Sequence, residues 1–167
     1  MKDYWLAKLI SSVTEVDSRK RLQKSIYLLQ KSGCPLHFSY ILHYYGPYSF
    51  ELAGLIDQLD EVGIIKETQE GSAYKSRITT TGKKVIENFE KTDTGIEAKK
   101  ALNSFIPKFV ELNKKDLWPL ELAATISYFH RDDWSVAAKQ TAAFKRVALS
   151  DPNLKLAVDL SRSFRLA

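Results

Sequence analysis

Residues 19–81 constrain the fold of this chain more than any other part, because their hydrophobic pattern predicts several elements in a fixed order. Their apolar side chains recur at helical spacing, pass through an aromatic turn at 44–49, and then recur at helical spacing again. Two strand-like runs follow at 64–67 and 74–79, separated by the turn-forming residues 70–72. This order of two helices and a strand pair predicts a winged helix, a fold that mostly binds other macromolecules.

The remainder of the chain is predicted to be helical, so the expected fold class is mainly α (α+β). A short amphipathic helix precedes the winged-helix stretch, and Pro107 interrupts the helical pattern beyond it. The pairs at 118–119 and 151–152 each place a proline in the first turn of a further helix. We therefore expect a winged-helix domain at residues 1–92 and a helical extension at residues 93–167 packed against it.

Composition excludes some classes of protein and leaves others open. A net charge of +5 permits contact with nucleic acid without requiring it, and the first 93 residues are almost neutral, with 13 Lys and Arg against 12 Asp and Glu. The single cysteine, Cys34, excludes an internal disulfide framework, and the first ten residues lack the pattern of a signal peptide. No apolar run approaches the roughly 18 residues that cross a bilayer. We expect a cytoplasmic protein that does not enter the membrane.

The first helix of the winged-helix stretch is predicted to carry an outward lysine ridge. Its core stripe consists of Leu22, Ile26 and Leu29, and Gly33 ends the helix. The opposite face carries side chains at steps of four, three and four, which we call the lysine ridge: Lys20, Lys24, Tyr27 and Lys31. This ridge is expected to face solvent.

The second of these helices would enter the major groove of DNA in a typical winged helix, yet its outward face is acidic. The helical wheel places Phe50, Gly54, Asp57 and Glu61 on that face, and the helix contains no Lys or Arg. A carboxylate about 4 Å from a phosphate costs roughly 1 kcal/mol even in water. Groove readout by this helix is therefore disfavoured, and the acidic face is expected to be either simply solvated or a surface for a protein partner.

Aromatic residues crowd the turn before this helix. Some of them are expected to belong to the core, but Phe50 falls on the exposed face beside the acids. An exposed aromatic ring bordered by carboxylates is typical of a hot spot for a basic partner. The predicted contact residues for a protein partner are Tyr45, Tyr48, Phe50, Asp57 and Glu61.

Binding of nucleic acid is the alternative, and it would use cations outside the acidic helix. The candidates lie on the lysine ridge, on the predicted wing and just after it: Lys20, Lys24, Lys31, Lys75, Arg77, Lys83 and Lys84. Contact through such residues would involve phosphates, depend strongly on salt and read little sequence.

No residue set predicts catalysis, a metal or a cofactor. Cys34, His37 and His43 are loosely spaced and lack a second pair of ligands. His130 and Asp132 suggest an acid–base pair, but they lie where one helix ends and another begins, so capping explains them better. We expect a protein that is not an enzyme and has neither a catalytic residue nor a cofactor.

Two motifs carry a resemblance to a known family. The segment 19–30, followed by 43–52 with its His-Tyr-Tyr-Gly-Pro-Tyr-Ser turn, resembles the YwgA family of small proteins, and residues 120–129 fit the same pattern. That resemblance implies a winged-helix fold and brings no catalytic residues. The region 22–51 is more distantly similar to the Panacea (SocA-like) antitoxin domain, which implies an antitoxin-like role.

Together these observations favour a non-enzymatic regulatory module that binds a protein partner, with a DNA-binding transcriptional regulator as the alternative. A basic and an acidic ridge on adjacent helices would also allow two copies of the chain to pair as a homodimer.

Overall fold

The computed structural model describes residues 1–166, which form a mainly helical α+β fold with two small antiparallel sheets. The elements of the first half are α1 (Lys2–Ser11), α2 (Arg19–Lys31), β1 (Ile41–His43), β2 (Gly46–Tyr48), α3 (Phe50–Glu61), β3 (Ile65–Glu70), β4 (Ala73–Ile78) and α4 (Thr80–Phe89). Those of the second half are α5 (Asp93–Leu102), a 3₁₀ turn (Asn103–Phe105), α6 (Ile106–Asn113), α7 (Leu117–Phe129), α8 (Trp134–Lys145) and α9 (Pro152–Ser163).

Side-chain caps fix the starts of the helices in the first half. Ser18 accepts a hydrogen bond from the Arg21 amide at the start of α2, and Ser49 accepts one from the Leu52 amide at the start of α3. The cap of α4 is Thr79, whose hydroxyl accepts a hydrogen bond from the Gly82 amide. Its hydroxyl also donates to the Ile64 carbonyl, so this cap ties α4 to the strand pair.

The aromatic turn forms a hairpin, which the sequence pattern did not predict. Strand β1 pairs with β2 in the register Ile41 to Tyr48. Gly46 has a φ of +94°, and a Cβ there would lie 2.6 Å from Oγ1 of Thr125 in α7. A glycine is therefore required by both the backbone conformation and the close approach of α7.

The predicted strand pair is present as β3 and β4, joined at Glu70 and Ala73. A single bridge between Val16 and Ser76 attaches the segment after α1 to β4. This bridge places the strand pair beside α1 and α2, which contact β4.

Helix α7 lies at the centre of the packing in the second half of the chain. This helix packs against α2, α8 and α9, and its side chains from Leu120 to Ser127 are almost entirely buried. Pro107 lies in the first turn of α6, so it begins a new helix after the 3₁₀ turn. The buried apolar side chains form one cluster that includes residues from both halves of the chain. The proposed boundary at residue 92 stays a prediction.

Candidate functional site

A row of aromatic rings runs along the β1–β2 hairpin and onto the start of α3. We call this the aromatic row, and it consists of His43, Tyr44, Tyr45, Tyr48 and Phe50. Each ring lies against the next, with centroid separations between 5.0 Å for Tyr48 and Phe50 and 5.8 Å for His43 and Tyr45. Tyr44 is 79% exposed and Phe50 is 67% exposed, so the row presents aromatic surface to solvent.

Hydrogen bonds from α2 hold the row in place. The side-chain amide of Gln23 accepts from the Ser49 backbone N–H and donates to the Ser49 carbonyl, each at 2.8 Å. Both Gln23 and Ser49 are buried. Because Ser49 also caps α3, this pair of bonds fixes the position of Phe50 relative to α2.

The outward face of α3 is the one that the helical wheel predicted. Phe50, Gly54, Asp57 and Glu61 are all exposed, and we call these four residues the α3 face. A Cβ added at Gly54 would have no heavy atom within 4 Å. The α3 face is therefore open between its aromatic end and its acidic end.

Two cations partly neutralise the acids in and around the α3 face. Arg19 makes a bidentate pair with Glu67, with both distances 2.7 Å, and also contacts Asp57. Lys2 pairs with Glu51 at 2.8 Å. Three carboxylates pair with these two cations, and the exposed Asp60 and Glu61 have no ion pair among residues 1–166, so this surface keeps a negative balance.

The prediction that Lys24 faces solvent is wrong. Lys24 is 1% exposed, and its Nζ donates to the Pro47 carbonyl at 2.8 Å. The pKa of Lys24 is lowered to about 8, chiefly because burial disfavours the charged amine; Glu121 opposes this shift, and Lys145 and Lys20 add to it. Tyr27, expected on the same outward face, is also buried. The reason is that α7 covers this side of α2, so α2 is buried on two faces.

The other lysines of the ridge are held by neighbouring side chains. Lys20 pairs with Glu121 at 3.0 Å and lies 4.4 Å from the centre of the Tyr45 ring. Lys31 is half-buried over the Tyr27 ring, and burial lowers its pKa. The lysine ridge is therefore not a row of free cations, which removes much of the basis for pairing two copies through it.

The remaining nucleic-acid candidates lie on the strand pair and on α4. Lys75 pairs with Glu70 at 2.9 Å, and both Lys75 and Arg77 lie near Glu15. Lys83 and Lys84 are exposed in the first turns of α4. The structure thus distributes the seven predicted cations over three elements and does not combine them into one surface.

A buried carboxylate in α7 organises a second group of charges. Glu121 is 5% exposed, and its two oxygens accept from Nζ of Lys20 at 3.0 Å and from Nζ of Lys145 at 2.9 Å. Sequence analysis missed this group. One signal was available, because Glu121 is the one charged residue in the apolar run 120–126, and a lone acid in a buried helix needs a partner.

The His130 region has the capping role that the sequence favours. Asp133 accepts from the Ser135 and Val136 amides at the start of α8. His130 is stacked on Trp134 with a centroid separation of 3.6 Å, and its pKa is lowered because burial disfavours its charged form. Neither ring nitrogen has a hydrogen-bond partner within residues 1–166.

Cys34 and His37, two of the loosely spaced candidates for metal ligands, differ in their exposure. Cys34 is buried, which raises the pKa of its thiol to about 12, whereas His37 is exposed. In the part of the chain that the structure describes, no three His, Cys, Asp or Glu side chains are grouped as metal ligands would be.

None of the described helices combines the length and the apolar character needed to cross a bilayer.

Comparison with known proteins identifies a relative. No family model matches the sequence. The uncharacterized protein YwgA of Bacillus subtilis (strain 168) is 32% identical over 129 residues, and the match covers 74% of this chain and 72% of the relative. The similarity therefore extends over most of both proteins, and the chain belongs to the YwgA family.

Proposed function

We propose that this protein is a non-enzymatic winged-helix regulatory module that binds a protein partner through the aromatic row and the α3 face. One observation carries the proposal, which is that exposed aromatic rings adjoin an exposed helix face with a negative balance of charge. Binding energy in protein interfaces is concentrated in large aromatic side chains, and such rings are usually buried when no partner covers them.

The winged-helix interpretation is supported by the order of the elements. Helices α2 and α3 are followed at once by the antiparallel pair β3–β4, which has the place of a wing, and α3 has the place of the recognition helix. An α3 without Lys or Arg would meet phosphates with repulsion. This favours a protein partner over DNA for that helix.

The chemistry of the surface indicates a basic partner segment. Asp60 and Glu61 at the C-terminal end of α3 are exposed, and carboxylates there lack the stabilisation that the helix dipole gives at an N-terminus. Arg or Lys side chains of a partner would stabilise these acids and could lie over the rings of Phe50 and Tyr45. In the antitoxin-like form of the proposal, this partner is a toxin and binding occurs in the cytoplasm.

The test is affinity capture from the native host, with the captured protein identified by mass spectrometry and then purified for a direct binding assay. We expect Phe50→Ala combined with Glu61→Lys to abolish binding of that protein, because the pair removes the aromatic anchor and reverses a charge. Gly54→Lys should also abolish it, since its side chain would project from the open α3 face without an internal clash.

A matched control is the pair Leu156→Ala and Glu87→Lys, which removes one exposed apolar side chain and reverses one exposed acid elsewhere. This control should bind like the unmodified chain. Undiminished binding by the Phe50→Ala, Glu61→Lys variant would overturn the proposal.

A DNA-binding regulator is the second candidate, favoured by the exposed Lys83 and Lys84 directly after the wing. Their amines would contact phosphates, so the affinity should fall steeply with added salt and weaken in a Lys83→Ala, Lys84→Ala variant. A gel-shift series at low salt tests this, and absence of a shift would rule the second candidate out.

A further inference from the structure

A cleft separate from the α3 face lies where the aromatic turn meets the start of α7 and the end of α8. Its volume is about 540 Å³, within the range of pockets for small organic ligands. We call it the cationic cleft, and its lining combines three cations with aromatic side chains: Lys20, Lys145, Arg146, Tyr45, Trp118 and Phe144.

The cleft holds more positive charge than its single carboxylate can balance. Glu121 already accepts from both Lys20 and Lys145. Lys24 adds a further amine close by, since it lines a smaller cavity together with Lys20 and Tyr45. Buried or half-buried cations normally have matching anions, so this arrangement leaves an unmet requirement for negative charge.

Arg146 adds a third cation to the lining of the cleft. It ends α8 in the left-handed conformation, with a φ of 57° and a ψ of 47°, which side chains other than glycine and asparagine seldom adopt. Among residues 1–166, its guanidinium has no carboxylate within salt-bridge distance and donates no hydrogen bond. Arg146 is exposed and brings an unpaired guanidinium to the cleft, and a guanidinium binds phosphate or carboxylate oxygens in pairs.

The aromatic walls of the cleft indicate that its ligand carries a planar ring. Tyr45 is 50% exposed, and Trp118 and Phe144 are each exposed by more than a third of their surface. The Tyr45 ring already lies over the Lys20 amine. Flat aromatic walls beside cations accept a planar ring that carries an anionic group, because the ring can stack while the anion meets the amines.

We propose that the cationic cleft binds a small aromatic anion of the size of a nucleoside monophosphate. Its phosphate would contact Lys20, Lys145 and Arg146, and its base would stack against the aromatic walls. The inference is separate from the proposed function, because it needs no protein partner and the cleft shares only Tyr44 and Tyr45 with the aromatic row.

The test is isothermal titration calorimetry of the purified full chain with AMP, adenosine, ribose 5-phosphate and inorganic phosphate. We expect AMP to bind at least tenfold more tightly than each of the other three, because each lacks either the ring or the anion. Equal affinity for AMP and inorganic phosphate would overturn the aromatic part of the proposal. Absence of any heat with AMP at millimolar concentration would overturn all of it.

Variants of the residues that line the cationic cleft test whether AMP binds there. Arg146→Gly removes the guanidinium and relieves the left-handed backbone, so the chain should melt no lower than the unmodified protein while its Kd for AMP rises at least fivefold. Trp118→Leu should raise the Kd similarly. The matched control is Lys139→Ala, which removes an exposed cation from the same helix outside the cleft and should leave the Kd unchanged.

Two outcomes would contradict this placement. An Arg146→Gly variant that melts normally and binds AMP as tightly as the unmodified chain would show that binding occurs elsewhere. A single-stranded oligonucleotide whose affinity rises steadily with its length would show that the cleft is part of a polynucleotide track and not a small-molecule site.

Discussion

Lys24 is enclosed by α7 and the aromatic turn, and one backbone carbonyl accepts from its amine. An ammonium has three donors, so the charged form is poorly solvated there, and burial lowers its pKa to about 8 from an ordinary value of 10.5. The unfolded chain therefore binds this proton more readily than the folded chain between pH 8 and 10.5. Folding stability contributed by Lys24 must rise with pH across that interval.

We predict that the free energy of unfolding of the unmodified chain, relative to a Lys24→Met variant, increases by about 2 kcal/mol between pH 7.5 and 9.5. The comparison with the variant is needed because the thiol of Cys34 has a raised pKa in the folded state and lowers stability above pH 9 in both proteins. Urea unfolding at three pH values measures the difference. A difference that is independent of pH would show that the Lys24 amine is solvated.

Helix α3 contains one glycine, Gly54, that the structure does not require. Gly54 lies on the open face of the helix, and a Cβ there would meet nothing within 4 Å. Since glycine costs a helix interior roughly 0.5–1 kcal/mol relative to alanine, Gly54→Ala should raise stability by about that amount. Thermal unfolding measures it.

At Gly82 in α4, by contrast, close packing requires a glycine. A Cβ at Gly82 would overlap the carbonyl oxygen of Ile64, so Gly82→Ala must displace α4 from the strand pair or strain the backbone. We predict a loss of stability of about 2 kcal/mol or more, in the range of overpacked interiors. A Gly82→Ala variant as stable as Gly54→Ala would show that α4 packs less closely against Ile64 than the structure indicates.

Sequence patterns were most informative where an element has one buried face. The outward residues of α3, its Ser49 cap and the strand pair all follow from local spacing, because each of these elements packs on one side only. The same reasoning failed for Lys24 and Tyr27, because α2 is covered on a second face by a helix that lies about a hundred residues further along the chain. A helical wheel contains no information about such a partner.

At the scale of the whole molecule, one buried carboxylate joins the two halves. Glu121 in α7 pairs with Lys20 in α2 and with Lys145 in α8. We predict that Glu121→Gln lowers the free energy of unfolding by about 3 kcal/mol, because it leaves the buried amine of Lys145 and the partly exposed amine of Lys20 without a counter-charge. The control Glu111→Gln removes an exposed pair with Lys115 and should cost less than about 1 kcal/mol.

The same packing decides whether residues 1–92 form a domain that folds alone. Helix α7 covers α2 and β2, and its buried side chains belong to the same apolar cluster as those of α1 and α2. Removing residues 93–167 would take away Tyr128, whose ring lies beside that of Tyr27, and would leave Lys24 and the hairpin without the helix that encloses them. We therefore predict that a fragment of residues 1–92 shows no cooperative thermal transition, whereas the full chain unfolds in a single one. Circular dichroism and calorimetry on both proteins measure these transitions. A sharp transition in the fragment would show that residues 1–92 fold as an independent domain without α7.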